Sequence, residues 1–427
     1  MERTELVFIP APGLVGHLKP IVKFAQLLID RNDHLSIKFL IMKLPSDSTI
    51  DNYIESIASS SLSQQIHFIH LPHQELMLES NSSFLYLFVE NHKSYVKETI
   101  AKLIQPDSTS SPTRLAGIVV DMFCFTMIDV AKEFDIPSYV FFTFGAGFLG
   151  LMLHCASLVD NQNKDFISVL EGSETELMVP CFACPVPAKV LPPTALDTEF
   201  GLNMARRLIE AKSIIVNTFE ELEFYALNSL VNEATPPIYP VGPILELEGG
   251  VGSSDETNVQ NSDIINWLDQ QPPSSVVYLC FGSKGYFNKD QVKEIACGLE
   301  SSGFRFIWSL RLVPTKDGQV TLPGEHTHLY QVLPDGFLER TAGTGLVVEE
   351  ITLDYRRDFD KSNVDTVTAE EIERGIRRVM EENSTTRRKV KMMREKCREA
   401  VMEGGSSYSS FDRLIKDIIN HSNQGSQ

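Results

Sequence analysis

A chain of 427 residues is long enough for two or three domains, and 43% hydrophobic residues supply real cores, which excludes a disordered protein. A formal net charge of −19 excludes nucleic-acid binding, which needs Lys and Arg in excess on one face, and it gives no attraction to anionic membranes. The seven cysteines, at 124, 155, 181, 184, 280, 297 and 397, are scattered and odd in number, as expected of reduced thiols in a cytosolic protein.

In chain order, residues 6–10 predict a short apolar strand, too short for a secretory signal, followed by a helix carrying Ile21, Phe24, Ala25, Leu27 and Leu28. Residues 35–42 and 65–71 predict two more strands, and 83–105 a long amphipathic helix. Residues 115–123 are apolar until Asp121, as in a parallel strand buried on both faces. A helix over 127–134 and a strand over 137–144 follow. The longest apolar stretch, 140–153, is interrupted by Thr143 and three glycines and is too short to span a bilayer. A cytoplasmic protein is expected.

Residues 211–218 predict another strand, leading to a helix start at Glu220-Glu221. In 238–243, two prolines and a glycine forbid regular structure. Residues 248–261, rich in Gly, Ser, Asp and Asn, read as a linker. A second unit then opens with a strand over 275–280, a helix over 289–300, a strand over 305–310 and a short strand over 345–348. Thr368 and Glu371 make a capping box ahead of Ile372, Ile376 and Val379. On the next helix Val390, Met393, Cys397, Ala400 and Val401 form a core stripe, with Arg387, Arg388, Lys389, Lys391 and Arg394 on the solvated face.

Strands alternating with helices predict an α/β protein of two Rossmann-like, doubly wound units. Ligands of such sheets lie beyond the C-terminal strand ends, so the loops after Ile9, Val120, Phe142 and Cys280 are the ones to search. His17, in the Pro/Gly loop after the first strand, is either a general base at the mouth of a cleft or a packing and capping residue. Asp121 ends a buried strand, where an unpaired carboxylate is costly. It either pairs with His17 or caps the following loop. Gly282-Ser283 makes a short turn able to receive an anion. No GxGxxG or Walker A pattern occurs, and the CxxC of Cys181 and Cys184 has no second pair to complete a metal site.

Several runs together resemble plant family 1 UDP-glycosyltransferases: PAPGLVGHLKP at 10–20, VVDMF at 119–123, YVFFTFGAGFLG at 139–150 and IIVNTFEELE at 214–223. Also similar are YPVGPIL at 239–245, INWLDQQPPSSVVYLCFGS at 265–283 and LPDGFLERTAGTGLV at 333–347. The resemblance implies a GT-B fold of two Rossmann-like domains facing a cleft. It implies an acceptor domain over 1–243, a linker over 244–262, a donor-type domain over 263–405, and a C-terminal helix and tail over 406–427 that packs back on the first domain.

It further implies an inverting transfer of a sugar, glucose for preference, from a UDP-sugar to a hydroxyl of a small lipophilic plant metabolite such as a flavonoid, with no metal or other cofactor. His17 would be the base and Asp121 its partner. Thr143, Gly282 and Ser283 would touch the donor, and Gly13, Phe123, Phe144 and Phe148 would line the acceptor pocket.

One departure stands out. The family's donor-binding box, with its WAPQ and HCGWNS runs, is absent, and the only tryptophans are Trp267 and Trp308. The chain is about 50 residues shorter than the family's usual length, consistent with one internal deletion at Val347-Val348. Such a loss implies strand edges and apolar faces left uncovered in the second domain. It implies weak or no transfer by this form; the alternative is an inactive acceptor-binding or regulatory protein.

Overall fold

Strands with no polar face need cover on both sides, and the first sheet is built from such runs. The structure is a computed structural model. It describes residues 3–44, 48–58, 65–73, 84–105, 113–162, 176–188, 199–232, 234–245, 263–281, 287–312, 329–351, 366–382 and 384–424. The chain divides into two compact units, Met1–Gly252 with Met393–Gln427, and Ser253–Met392. Residues 393–405, assigned to the second domain on sequence, therefore cluster with the first. The linker expected over 248–261 lies outside the described residues.

The strands of the first unit are β1 (Arg3–Ile9), β2 (Leu35–Ile41), β3 (Ile66–His70), β4 (Thr113–Asp121), β5 (Ser138–Phe142), the two-residue hairpin β6 (Glu176–Leu177) and β7 (Val186–Pro187), β8 (Ser213–Val216) and β9 (Ile238–Pro240). Its helices are α1 (Val15–Arg31), α2 (Ser48–Ala58), α3 (Phe84–Asn91), α4 (Lys93–Ile104), α5 (Ile128–Glu133), α6 (Ala146–Gln162), α7 (Glu199–Leu208) and α8 (Phe224–Ser229). Seven strands form one parallel sheet in the order β3-β2-β1-β4-β5-β8-β9. The period of two divides it cleanly: Val7, Ile9, Val120 and Phe142 face one core, and Leu6, Phe8, Val119 and Phe141 the other.

Four local expectations differ from the structure. The helix start expected at Glu220-Glu221 is a turn, and α8 begins only at Phe224. The helix expected over 83–105 is interrupted at His92, whose buried ring bonds through Nδ1 to the Phe88 carbonyl at 2.8 Å. The strand expected to reach Phe123 stops at Asp121, where a 3-10 turn over Met122–Met127 begins. Residues 238–240, expected to be irregular, are strand β9. Pro240 is tolerated there because β9 is the sheet's edge and pairs with β8 alone.

The C-terminal helix α12 (Ser406–Gln424) packs on this unit, burying Phe411, Leu414 and Ile418 beside Phe24 and Tyr239. Arg31 stacks its guanidinium 4.0 Å from the Tyr408 ring and 4.5 Å from the Phe411 ring, and bonds Asp412 at 2.9 Å.

In the second unit β10 (Val276–Cys280), β11 (Arg305–Leu312) and β12 (Gly345–Ile351) form a parallel sheet in that order. One face, with Phe306, Trp308 and Leu310, is covered by α9 (Lys289–Ser302) and by Ile372 and Ile376 of α10 (Ala369–Met380). α10 begins in the expected Thr368–Glu371 capping box. β12 runs past Val348, the expected strand end, and pairs with β11 through Ile351, so the junction expected at Val347-Val348 would lie inside a continuous strand.

The two sheets differ in one respect that matters below. In the first, the opening strand β1 is flanked by β2 on one side and β4 on the other. In the second, the opening strand β10 has only β11, so its other edge is open among the described residues. On the face away from Trp308, Tyr278 of that edge strand is 66% exposed.

The stripe expected to be core on α11 (Thr385–Val401) is only partly covered. Only Ala400 is buried, Met393 and Cys397 are half-buried, and Val390 and Val401 are exposed.

Candidate active site

The parallel register brings three strand ends together. Ile9 pairs with Val120, and Asp121 with Phe141, so the loops after β1, β4 and β5 emerge side by side. Gly13 takes a φ of 68° in the first of these loops, a conformation open to glycine at no cost, and lets the chain turn into α1. His17 lies in the first turn of α1, its N–H bonded to the Leu14 carbonyl at 2.9 Å. The loop is fixed from below by the buried Cys124, whose thiol donates to the Pro10 carbonyl at 3.5 Å. Burial, with the nearby Asp121 charge, pushes that thiol well above its ordinary pKa.

Asp121 is fully buried and does both things that its position suggested. Its Oδ2 lies 2.9 Å from His17 Nδ1, and its Oδ1 accepts the Phe123 N–H at 2.9 Å, capping the 3-10 turn. With Nδ1 turned to a carboxylate, Nε2 is the nitrogen left to take a proton. The His17 side chain keeps 15% of its surface exposed, enough for a ligand to approach. Thr143, expected to touch a donor, places Oγ1 3.2 Å from the same Nδ1.

Aromatic rings flank the imidazole on two sides. Phe123 lies 4.9 Å away, tilted by 32°, and stacks in turn on Phe200 of α7 at 6.2 Å. Phe144 meets the imidazole edge-on at 6.1 Å and packs against Phe148 at 5.0 Å. Phe144 is 43% exposed, so its ring is open to a ligand beside His17. Two groups here were not singled out from the sequence. Phe200 is the one aromatic residue of α7, and Glu223, which accepts the Ala146 and Gly147 N–H groups, is one of several acids closing the IIVNTFEELE run. Gly282 and Ser283 lie outside the described residues. Among the described residues no group of His, Cys, Asp and Glu is placed to hold a metal, and no helix is long and apolar enough to cross a membrane.

No family model matches the chain. Individual proteins match it along nearly its whole length. UDP-glycosyltransferase 71A15 of Malus domestica is 43% identical over 485 aligned positions, covering 97% of this chain and 99% of that protein. UDP-glucose flavonoid 3-O-glucosyltransferase 6 of Fragaria ananassa is 42% identical, covering 98% and 99%. Among solved structures, a transferase from Siraitia grosvenorii in complex with UDP superposes with a TM-score of 0.83 at 37% identity, covering 98% of this chain and 100% of that one. UGT71G1 of Medicago truncatula with UDP-glucose gives 0.78 at 32% identity, covering 97% and 98%. By sequence and by its parallel α/β fold, the chain belongs to the plant UDP-glycosyltransferases.

Proposed function

We propose that the first unit binds a small lipophilic acceptor with His17 as its base, and that this form of the protein transfers little or no sugar. The acceptor chemistry follows from the rings: Phe123 and Phe144 suit a flat aromatic metabolite whose hydroxyl meets Nε2, a flavonoid phenol being the natural candidate. Asp121 accepts the Nδ1 proton and orients the ring. As the acceptor oxygen attacks the anomeric carbon of a UDP-sugar, its proton passes to Nε2, the bond from that carbon to the diphosphate breaks, and UDP departs with inversion. The imidazolium so formed is stabilised by Asp121. The donor, UDP-glucose by analogy with the Fragaria and Medicago proteins, enters as a co-substrate.

The observation that carries the second half of this reading is the contrast between the two sheets. A doubly wound sheet binds its ligand in the crevice where strands diverge on either side of the opening strand. β1 has such a neighbour in β4, which supplies Asp121. β10 has none among the described residues, which supports the reading that one wall of a donor crevice is missing from this form. The alignment length supports the same conclusion. Its 485 positions exceed the 427 residues of this chain by 58, so at least that many positions face no residue here. In this form the protein is a binder of acceptors, with catalytic or regulatory use depending on what supplies the donor.

The test is to follow acceptor binding and UDP release together, with UDP-glucose and a flavonol. Binding of the flavonol without UDP release above background is expected. Turnover within tenfold of an intact relative would overturn the proposal.

A further inference from the structure

The groups around His17 do not hold themselves in place. Thr143 and Phe144 sit on the three-residue link between β5 and α6, and α6 begins with free N–H groups, since the first turn of any helix has no internal acceptors. Glu223 satisfies two of them. Its Oε2 accepts the Ala146 N–H and its Oε1 the Gly147 N–H, each at 2.8 Å, a forked carboxylate on the positive end of a helix.

The approach is close because both flanking positions are glycine. A Cβ at Gly145 would lie 2.7 Å from the carboxylate oxygens, and one at Gly147 3.2 Å from Oε1. Glu223 is itself anchored: its N–H reaches the Phe219 carbonyl at 3.3 Å, and its own carbonyl accepts from Leu227 at 2.9 Å, in the first turn of α8. A second grip comes from Cys181, whose thiol donates to the Gly147 carbonyl at 3.3 Å.

We infer that Glu223 is a positioning residue for the acceptor site: by clamping the start of α6 it fixes Thr143 beside His17 Nδ1 and holds Phe144 edge-on to the imidazole. It touches neither acceptor nor base. The inference rests on the reading of His17 as the base, and its consequence is that both the affinity for a phenol and the ionisation of the bound phenol depend on a carboxylate two elements away.

The experiment uses the full chain, its Glu223→Ala, Glu223→Gln and His17→Ala variants, and 4-methylumbelliferone, a phenol whose neutral and ionised forms have distinct excitation spectra. Affinity, the pH at which the bound probe ionises, and thermal unfolding are measured for each. Glu223→Ala is expected to bind about tenfold more weakly, the usual scale for losing a helix cap and its charge, and to move probe ionisation back toward the free value. Glu223→Gln, whose single amide oxygen accepts one of the two N–H groups, restores part of both.

A merely structural role would lower unfolding temperature without moving the ionisation of the probe that remains bound. Should Glu223→Ala not fold, Glu223→Gln decides. Wild-type affinity and ionisation in the folded Glu223 variants would overturn the inference. Normal ionisation in His17→Ala would instead overturn the base assignment, leaving Glu223 to stand or fall on affinity alone.

Discussion

Asp121 is shared between two partners: Oδ2 meets His17 Nδ1 at 2.9 Å and Oδ1 takes the Phe123 N–H at the same distance, so one buried carboxylate sets both the imidazole and the turn beneath it. Asp121→Asn separates these duties. The amide oxygen still caps Phe123, but its NH2 faces Nδ1 and selects the tautomer that carries its proton on Nε2. The variant is expected to fold and bind a phenol, with no shift in the phenol's ionisation. In a version with the donor segment restored, kcat is expected to fall by roughly 10²–10⁴, with little change in KM.

Phe144 is the exposed member of the aromatic pair around His17, so its removal costs the fold little. Phe144→Ala is expected to weaken binding of a flat phenolic acceptor by about 1 kcal/mol, the usual worth of one aromatic contact, while leaving the unfolding midpoint within error. Isothermal titration with a flavonol, beside a thermal melt, checks both halves. A large drop in stability would mean that Phe144 is core.

Acid should destabilise the first unit through His92. Burial, opposed by the bond to the Phe88 carbonyl and joined by repulsion from His73, holds this imidazole below its ordinary value near 6.5. The unfolded chain therefore binds the proton more readily between the two values. Stability is full above 6.5 and is lost as the pH falls through the folded pKa. His154, lowered by burial, acts in the same direction. His92→Gln should flatten the acid limb of a plot of urea midpoint against pH; an unchanged limb would remove His92 from the explanation.

The edge of β10 that is open among the described residues carries no charge, proline or bulge from Val276 to Cys280, the guards that natural edges use against pairing with other chains. Tyr278→Lys adds one at a side chain that is already 66% exposed. Light scattering on heating should begin at a higher temperature in the variant, with the unfolding midpoint within about 0.5 kcal/mol of the parent. Equal scattering would place the aggregation-prone surface elsewhere.

Most of the first unit was legible because its signals are local. Buried parallel strands such as 115–121 are continuous apolar runs, and a lone Asp at the end of one demands a partner. The boundaries that failed have physical causes of the same kind. Pro240 looked like a breaker because nothing in the sequence says that its strand is an edge. The Val390, Met393 and Cys397 stripe looked like core because a helical period does not say how much of it is covered: Met393 and Cys397 are half-buried and Val390 is exposed. Phe200 was not singled out, and Glu223 stood at the end of the IIVNTFEELE run with its role unseen. A ring or carboxylate that reaches the site from a distant segment leaves no record of its contacts in its own neighbourhood.

We propose that this form has an intact acceptor side and lacks its donor side. Titration calorimetry of UDP-glucose into this chain, beside a version carrying the relatives' additional segment inserted at Val347, tests it most directly. Binding by the restored version alone is the expected result. Comparable binding by the chain as it stands would contradict the claim and mean that a donor site forms without a fourth strand beside β10.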